Sequence, residues 1–208
     1  MDKKAKRVGI MGGTFDPIHL GHLILGETAF EQFDLDKVLF MPSGNPPHKK
    51  NRLGRATDEQ RVEMVRRAIA SNPHFEISLI DMNEEGYSYT YRTLENLNRE
   101  YLDTEFYFIM GADSLFEFEN WKEPQRICDA AIIVVATRNH TNELHLDQTI
   151  HELAQKFNAD FLKLDSMNID ISSAMLRSWI QNGRTTRYYL TDSVRQYIDE
   201  QNIYGGQK

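Results

Sequence analysis

The stretch GIMGGTFDPIHLGH, residues 9 to 22, sets two adjacent glycines ahead of a proline and two histidines, His19 and His22. Glycines such as Gly12 and Gly13 let a backbone approach a ligand closely. A helix N-terminus beyond them offers N–H groups and a partial positive charge, and the combination suits phosphate. Thr14 and Phe15 lie in the same string and would meet such a ligand mainly through backbone. His19 and His22 are spaced i, i+3, so in a first helical turn both face one side. Gly21 between them leaves a bare place where a ligand could press on the helix. The string is not a P-loop, because no G-K-[ST] follows, and it is not G-x-G-x-x-G. Two imidazoles at this spacing are also compatible with ordinary structural roles or with a metal, although no third ligand is evident nearby.

A second string, ISSAMLR, covers residues 171 to 177. Ser172 or Ser173 can cap a helix whose N-terminus faces phosphate. Arg177, about one turn on, can present a forked, permanently charged donor to the same anion. Between the two strings lie groups with two readings each. Lys49 sits in a basic loop and could fold over phosphates, or be one charge of a solvated run. Thr90 begins a helix whose N–H groups could hold a carboxylate, or is a plain cap. Asp113 follows a strand and Gly111, where a carboxylate can accept from ribose hydroxyls or cap the next helix. Trp121 could stack on a flat ring or fill the core.

These groups need a scaffold to bring them together, and the hydrophobic pattern supplies one. Arg7 to Met11 reads as a buried strand, followed by a glycine turn and a helix from about 19 to 33. Strands follow at 37 to 41, 75 to 79, 105 to 110 and 130 to 137. The last, AAIIVVAT, has no polar alternation and reads as buried on both faces of a parallel sheet. Helical patterns occupy about 90 to 101, 146 to 157, 173 to 181 and 190 to 201. A further helix starts after Thr57, with Gln60 completing a capping box. The loop 42 to 55 is rich in Pro, Gly and Asn, and 138 to 148 reads as an exposed polar connection. Strands alternating with helices predict an α/β, Rossmann-like doubly wound, mostly parallel sheet with helices on both faces. A small helical part, about 171 to 204, ends what is expected to be a single domain over residues 1 to 208.

The chain has 208 residues, a net charge of −7, 40% hydrophobic and 26% charged residues. That acidic balance argues against nucleic-acid or anionic-membrane binding, so an anion site must be a local feature. One cysteine, Cys128, excludes an internal disulfide and a cysteine-rich zinc site. It precedes an apolar run, which predicts burial. No apolar run approaches the length of a membrane span, and the basic start is too short in apolar residues for a secretory signal. Cytoplasm is the expected compartment.

GGTFDPIHLGH resembles the H-x-G-H signature of the nucleotidyltransferases that adenylylate small phosphorylated substrates. ISSAMLR is similar to their I-S-S-T-x-[IL]-R string, with Ala174 where threonine is usual. PSGNPPHK (42 to 49), GYSYTYRTL (86 to 94) and FIMGADSLFEFENWK (108 to 122) further resemble segments of bacterial nicotinate mononucleotide adenylyltransferases, and the likeness runs over nearly the whole length.

The resemblance implies transfer of an adenylyl group from ATP to nicotinate mononucleotide, giving nicotinate adenine dinucleotide (deamido-NAD) and pyrophosphate, within NAD biosynthesis. It implies His19, His22, Lys49 and Arg177 as the charge-stabilising groups. Gly12, Gly13, Thr14, Phe15, Gly111, Ser172 and Ser173 would lie on ATP. Asn45, Thr90, Asp113, Trp121 and Lys122 would lie on the acceptor. Mg²⁺ is expected with ATP, with no tightly bound protein metal. A homo-oligomer is compatible with this reading. Nicotinamide mononucleotide or phosphopantetheine as acceptor, an ATP-binding module without turnover, and a histidine-based metal hydrolase are the competing readings.

Overall fold

The computed structural model describes residues 5–44, 54–82, 88–137, 143–167 and 169–205. Six parallel strands form one sheet: β1 (Lys6–Gly13), β2 (Lys37–Pro42), β3 (Phe75–Ile77), β4 (Thr104–Gly111), β5 (Ile132–Ala136) and β6 (Phe161–Leu164). Their spatial order is β3-β2-β1-β4-β5-β6. The order reverses between β1 and β4, and a ligand crevice in such a sheet opens beyond the carboxyl ends at that point.

Side chains alternate between the two faces, as strand geometry requires. Val8 and Ile10 of β1, Leu39 of β2, Phe108 of β4 and Ile133 of β5 lie in one core. Met11, Phe40, Ile109 and Val134 lie in the other. The first core is closed by α3 (Thr90–Glu100), α5 (Pro124–Ala130) and α6 (Glu143–Phe157). The second is closed by α1 (Leu20–Gln32), α2 (Asp58–Ile69), α7 (Ser173–Gln181) and α8 (Asp192–Glu200). A short helix, α4 (Ala112–Phe116), follows β4 directly. The predicted doubly wound architecture, with helices on both faces, is therefore what forms.

Several local readings change. The paired glycines are not a turn. Gly12 and Gly13 are the last residues of β1, opposite Met41 and Pro42 of β2, and the Ser43 N–H extends the ladder to the Gly13 carbonyl at 2.8 Å. The turn is Thr14 to Ile18. The predicted strand at 130 to 137 shortens to Ile132–Ala136, because Pro124 starts α5, which runs through Ala130. The polar connection at 138 to 148 is helical from Glu143. Its polar residues are the solvent face of α6, anchored by the fully buried Leu146; residues 138 to 142 lie outside the described residues. The edge strand β6, FLKL, carries no pattern that sets it apart from its surroundings. Among the described residues no helix is long and apolar enough to cross a membrane.

Candidate active site

β1 delivers the first signature to the carboxyl edge of the sheet. Gly13 is required by packing: a Cβ there would sit 3.0 Å from the Phe15 ring. Phe15 takes a left-handed backbone (φ 49°) and buries its ring against Phe40 and edge-on to His22. Its side chain is thus structural, and only its backbone faces the turn. Gly12 is exposed, and a Cβ on it would meet nothing closer than 3.7 Å.

His19 is the N-cap of α1 and His22 its third residue. The His19 N–H donates to His22 Nδ1 at 3.2 Å, and the two imidazoles stack with centroids 3.7 Å apart. His19 is buried and His22 half-buried. Gly21 lies against the His19 ring as well as at the cleft beside the histidines. A Cβ there would meet the His19 ring at 3.1 Å, so the glycine makes room for the imidazole. The N–H groups of this helix end are also partly committed, since Leu20 donates to the Tyr189 carbonyl at 2.9 Å.

The second signature meets the first directly. Ser172 caps α7 by accepting from the Met175 N–H. Ser173 Oγ donates to the Pro17 carbonyl at 2.8 Å, so this hydroxyl joins the two signatures. Arg177 Nη1 donates to the main-chain carbonyl of Asp16 and lies 3.5 Å from its carboxylate. Burial lowers the Arg177 pKa and Asp16 opposes that fall, which keeps the guanidinium charged. Ala174 is exposed on the first turn of α7.

Beside the histidines opens a shallow cleft, lined by Ile24, Leu25, Thr137, Met167, Ile169 and Ile171 with His19, Gly21 and His22. Apolar walls next to polar donors suit a flat heteroaromatic ring. Gly111 caps α4, and a Cβ on it would meet nothing within 4 Å. Asp113 is exposed in the first turn of α4. Trp121 is half-buried, packed on Phe108 (6.3 Å) and Phe118 (5.7 Å), so it serves the core and keeps part of its ring exposed. Lys122 is exposed beside it. Thr90 opens α3 after Tyr89, whose side chain makes no cap hydrogen bond. Lys49 and Asn45 lie outside the described residues.

Three buried charged groups that fix these pieces escape the sequence reading. Arg61 donates to the carbonyls of Thr14 and Ser43, both at 2.8 Å, and so clamps the turn after β1 to the turn after β2. Asp81 accepts from Gly44 N–H (3.2 Å), Ser88 Oγ (2.5 Å) and Thr93 Oγ1 (2.8 Å), tying the start of α3 to the end of β2. Asp16 accepts from Arg55, the Ala56 N–H and Tyr204. Only Asp16 carries a signal in sequence, as the acid inside TFDP. Among the described residues no group of three or more His, Cys, Asp or Glu side chains is placed to hold a metal.

The model of the cytidylyltransferase-like family matches residues 10–178. A relative from Lachnoclostridium phytofermentans, described as "Probable nicotinate-nucleotide adenylyltransferase", is 42% identical over 200 residues, spanning 96% of this chain and 99% of its own. One of the same description from Desulfitobacterium hafniense strain Y51 is 41% identical over 199 residues, covering 96% of each chain. A solved structure of Plasmodium falciparum nicotinic acid mononucleotide adenylyltransferase complexed with NaAD superposes with a TM-score of 0.75 at 18% identity, covering 96% of this chain and 97% of that one. At that identity the superposition speaks for the fold. The chain belongs to the cytidylyltransferase-like family and, within it, groups with the nicotinate-nucleotide adenylyltransferases.

Proposed function

We propose that the chain transfers an adenylyl group from ATP to nicotinate mononucleotide, giving nicotinate adenine dinucleotide and pyrophosphate in NAD biosynthesis. The relatives' names support the reaction. The observation that carries it at the site is the junction of the two signatures, Ser173 on Pro17 and Arg177 on Asp16, beside the paired histidines.

The mononucleotide phosphate attacks the α-phosphorus of ATP in line, and the α–β bridging P–O bond breaks. The attacking oxygen is already ionised near neutral pH, so no strong base and no covalent intermediate are required. Catalysis reduces to aligning two polyanions and neutralising the charge that builds on the α-phosphate and the leaving pyrophosphate. Arg177, His19, His22 and Lys49 supply that charge. The exposed backbone at Gly12, the turn through Thr14 and Phe15 and the capped start of α7 lie against the phosphates. Ser172 and Ser173 act there by shaping the helix end. The apolar cleft beside His19 and His22 takes the adenine. Magnesium enters as Mg·ATP, part of the substrate. Gly111 leaves space for the nucleotide to approach β4.

On the acceptor side, the start of α3 at Thr90, the exposed part of Trp121 and Lys122 receive the nicotinate ring and carboxylate. Asp113 and Asn45 complete that side. The reaction is assigned to the cytoplasm. Purified chain with Mg·ATP and each acceptor in turn tests this reading by pyrophosphate release and product mass. Turnover with nicotinate mononucleotide well above the amide and phosphopantetheine is the expected result. Turnover confined to another acceptor would keep the phosphate chemistry and discard the acceptor side. Folded protein that binds ATP and releases no pyrophosphate would overturn the enzyme reading.

A further inference from the structure

Asp16 stands where four stretches of the chain meet. Its carboxylate is almost wholly buried, 2% exposed. Oδ1 accepts from the Tyr204 hydroxyl at 2.6 Å and from the Ala56 N–H at 3.2 Å. Oδ2 accepts from Arg55 Nη1 at 2.8 Å and lies 3.5 Å from Arg177 Nη1, which also holds the Asp16 main-chain carbonyl. Two guanidiniums thus converge on one carboxylate. They repel each other, and a single buried negative charge between them fixes both. A neutral amide of the same shape would put a donating NH2 where one carboxylate oxygen now accepts, so it would lose an acceptor of the turn as well as the charge and leave Arg177 facing Arg55 without its anion.

Tyr204 comes from the far end of the chain. Its ring lies in the core that closes α2 and α8, and its backbone is left-handed, φ 67°. That conformation is strained for tyrosine, so its surroundings must hold it. The Ile203 N–H to Ile198 carbonyl bond (2.9 Å) and the hydroxyl on Asp16 do so. We infer that Asp16 is a positioning residue that sets the Arg177 guanidinium at the phosphate turn, and that Tyr204 latches the C-terminal segment to the same carboxylate, so that the site is complete only with that segment docked. This rests on the reading of Arg177 as a group that touches the reacting phosphates.

A double-mutant cycle with a conservative latch variant tests it. Arg177→Ala first tests the underlying reading, with kcat expected to fall about a hundredfold or more. Asp16→Asn should lower kcat roughly 10- to 100-fold with the KM for nicotinate mononucleotide little changed, as a misplaced catalytic group does. In the Arg177→Ala background the same change should cost less than about threefold, because its effect runs through Arg177. Tyr204→Phe should lower kcat several-fold alone and add little to Arg177→Ala. Equal losses in both backgrounds would overturn the positioning role while leaving Arg177 intact. Wild-type kcat in Arg177→Ala would overturn the reading of Arg177 and this inference with it. If Asp16→Asn does not fold, the Tyr204→Phe and Arg177→Ala cycle decides by the same criterion.

Discussion

The imidazoles of His19 and His22 are stacked, centroids 3.7 Å apart and planes 23° apart, with Gly21 packed under the His19 ring. The glycine of the H-x-G-H string is therefore part of the histidine pair. Gly21→Ala would push a methyl to 3.1 Å of His19 Nδ1, with Ile171 also close at 3.8 Å. The ring must give way, and kcat should fall about tenfold or more by misplacement alone. His19→Ala and His22→Ala should each cost about 10²- to 10³-fold in kcat, as loss of a preorganised donor does. Circular dichroism and steady-state rates on the three variants check this. A Gly21→Ala protein with wild-type kcat would show that the stack is not needed.

Gly111 and Gly13 make opposite demands. Nothing lies within 4 Å of a Cβ at Gly111, whereas one at Gly13 presses on Phe15 at 3.0 Å. Gly111→Ala should leave the melting temperature unchanged or slightly raised and increase the KM for ATP. Gly13→Ala should destabilise by about 1–3 kcal/mol, the usual cost of forcing a methyl into packed surroundings. Thermal melts and ATP titrations separate the two. An unchanged ATP KM in Gly111→Ala would mean that no ligand uses that space.

The strands with unbroken apolar runs and the capping box at Thr57 and Gln60 were legible in sequence because local composition alone determines them. So was the start of the helix in ISSAMLR, since Ser172 carries its own cap chemistry. The short edge strand β6 was not legible: four residues with Lys163 pointing to solvent differ little from a loop. Nor were the buried ties. Arg61 and Asp81 look like ordinary surface charges in sequence. Their meaning comes from partners 7 to 47 positions away, such as Thr14 for Arg61 and Ser88 for Asp81. The paired glycines suggest a turn in sequence because their strand character depends on β2 lying alongside.

Asp81 ties the start of α3 to the turn after β2, and on the proposed placement of the acceptor there its loss should be visible as a split between substrates. Asp81→Asn weakens the hold on Ser88 and Thr93 at the start of α3 and on Gly44 after β2. The KM for nicotinate mononucleotide should rise roughly tenfold, about the worth of a buried hydrogen bond or two, with the ATP KM little changed. Gly44→Ala should do the same for a steric reason, since its Cβ would fall 2.5 Å from the Asp81 carbonyl oxygen. Initial-rate measurements with each substrate varied in turn decide it. Equal increases in both KM values would mean that Asp81 serves the whole site.

Cys128 tests the absence of a thiol nucleophile and gives the protein an alkaline limit. Burial, with a smaller push from Asp129, raises its thiol to about 12. At about pH 8 only about one molecule in ten thousand would carry the thiolate, so alkylating reagents should label the folded chain very slowly. Tyr107 is also raised to about 12, by burial and by Glu105, whose carboxylate accepts from its hydroxyl at 2.7 Å. For both groups the folded state holds its proton more tightly than the unfolded one, whose values are 9.0 and 10.0. The folded chain therefore binds more protons between those values and about 12, and stability must fall as pH rises through that window. Denaturant melts from about pH 8 to pH 11 should show the decline, and Cys128→Ala should remove the part that begins near 9. Rapid labelling of native protein at neutral pH, or a flat alkaline profile, would show that the thiol is not held in its protonated form.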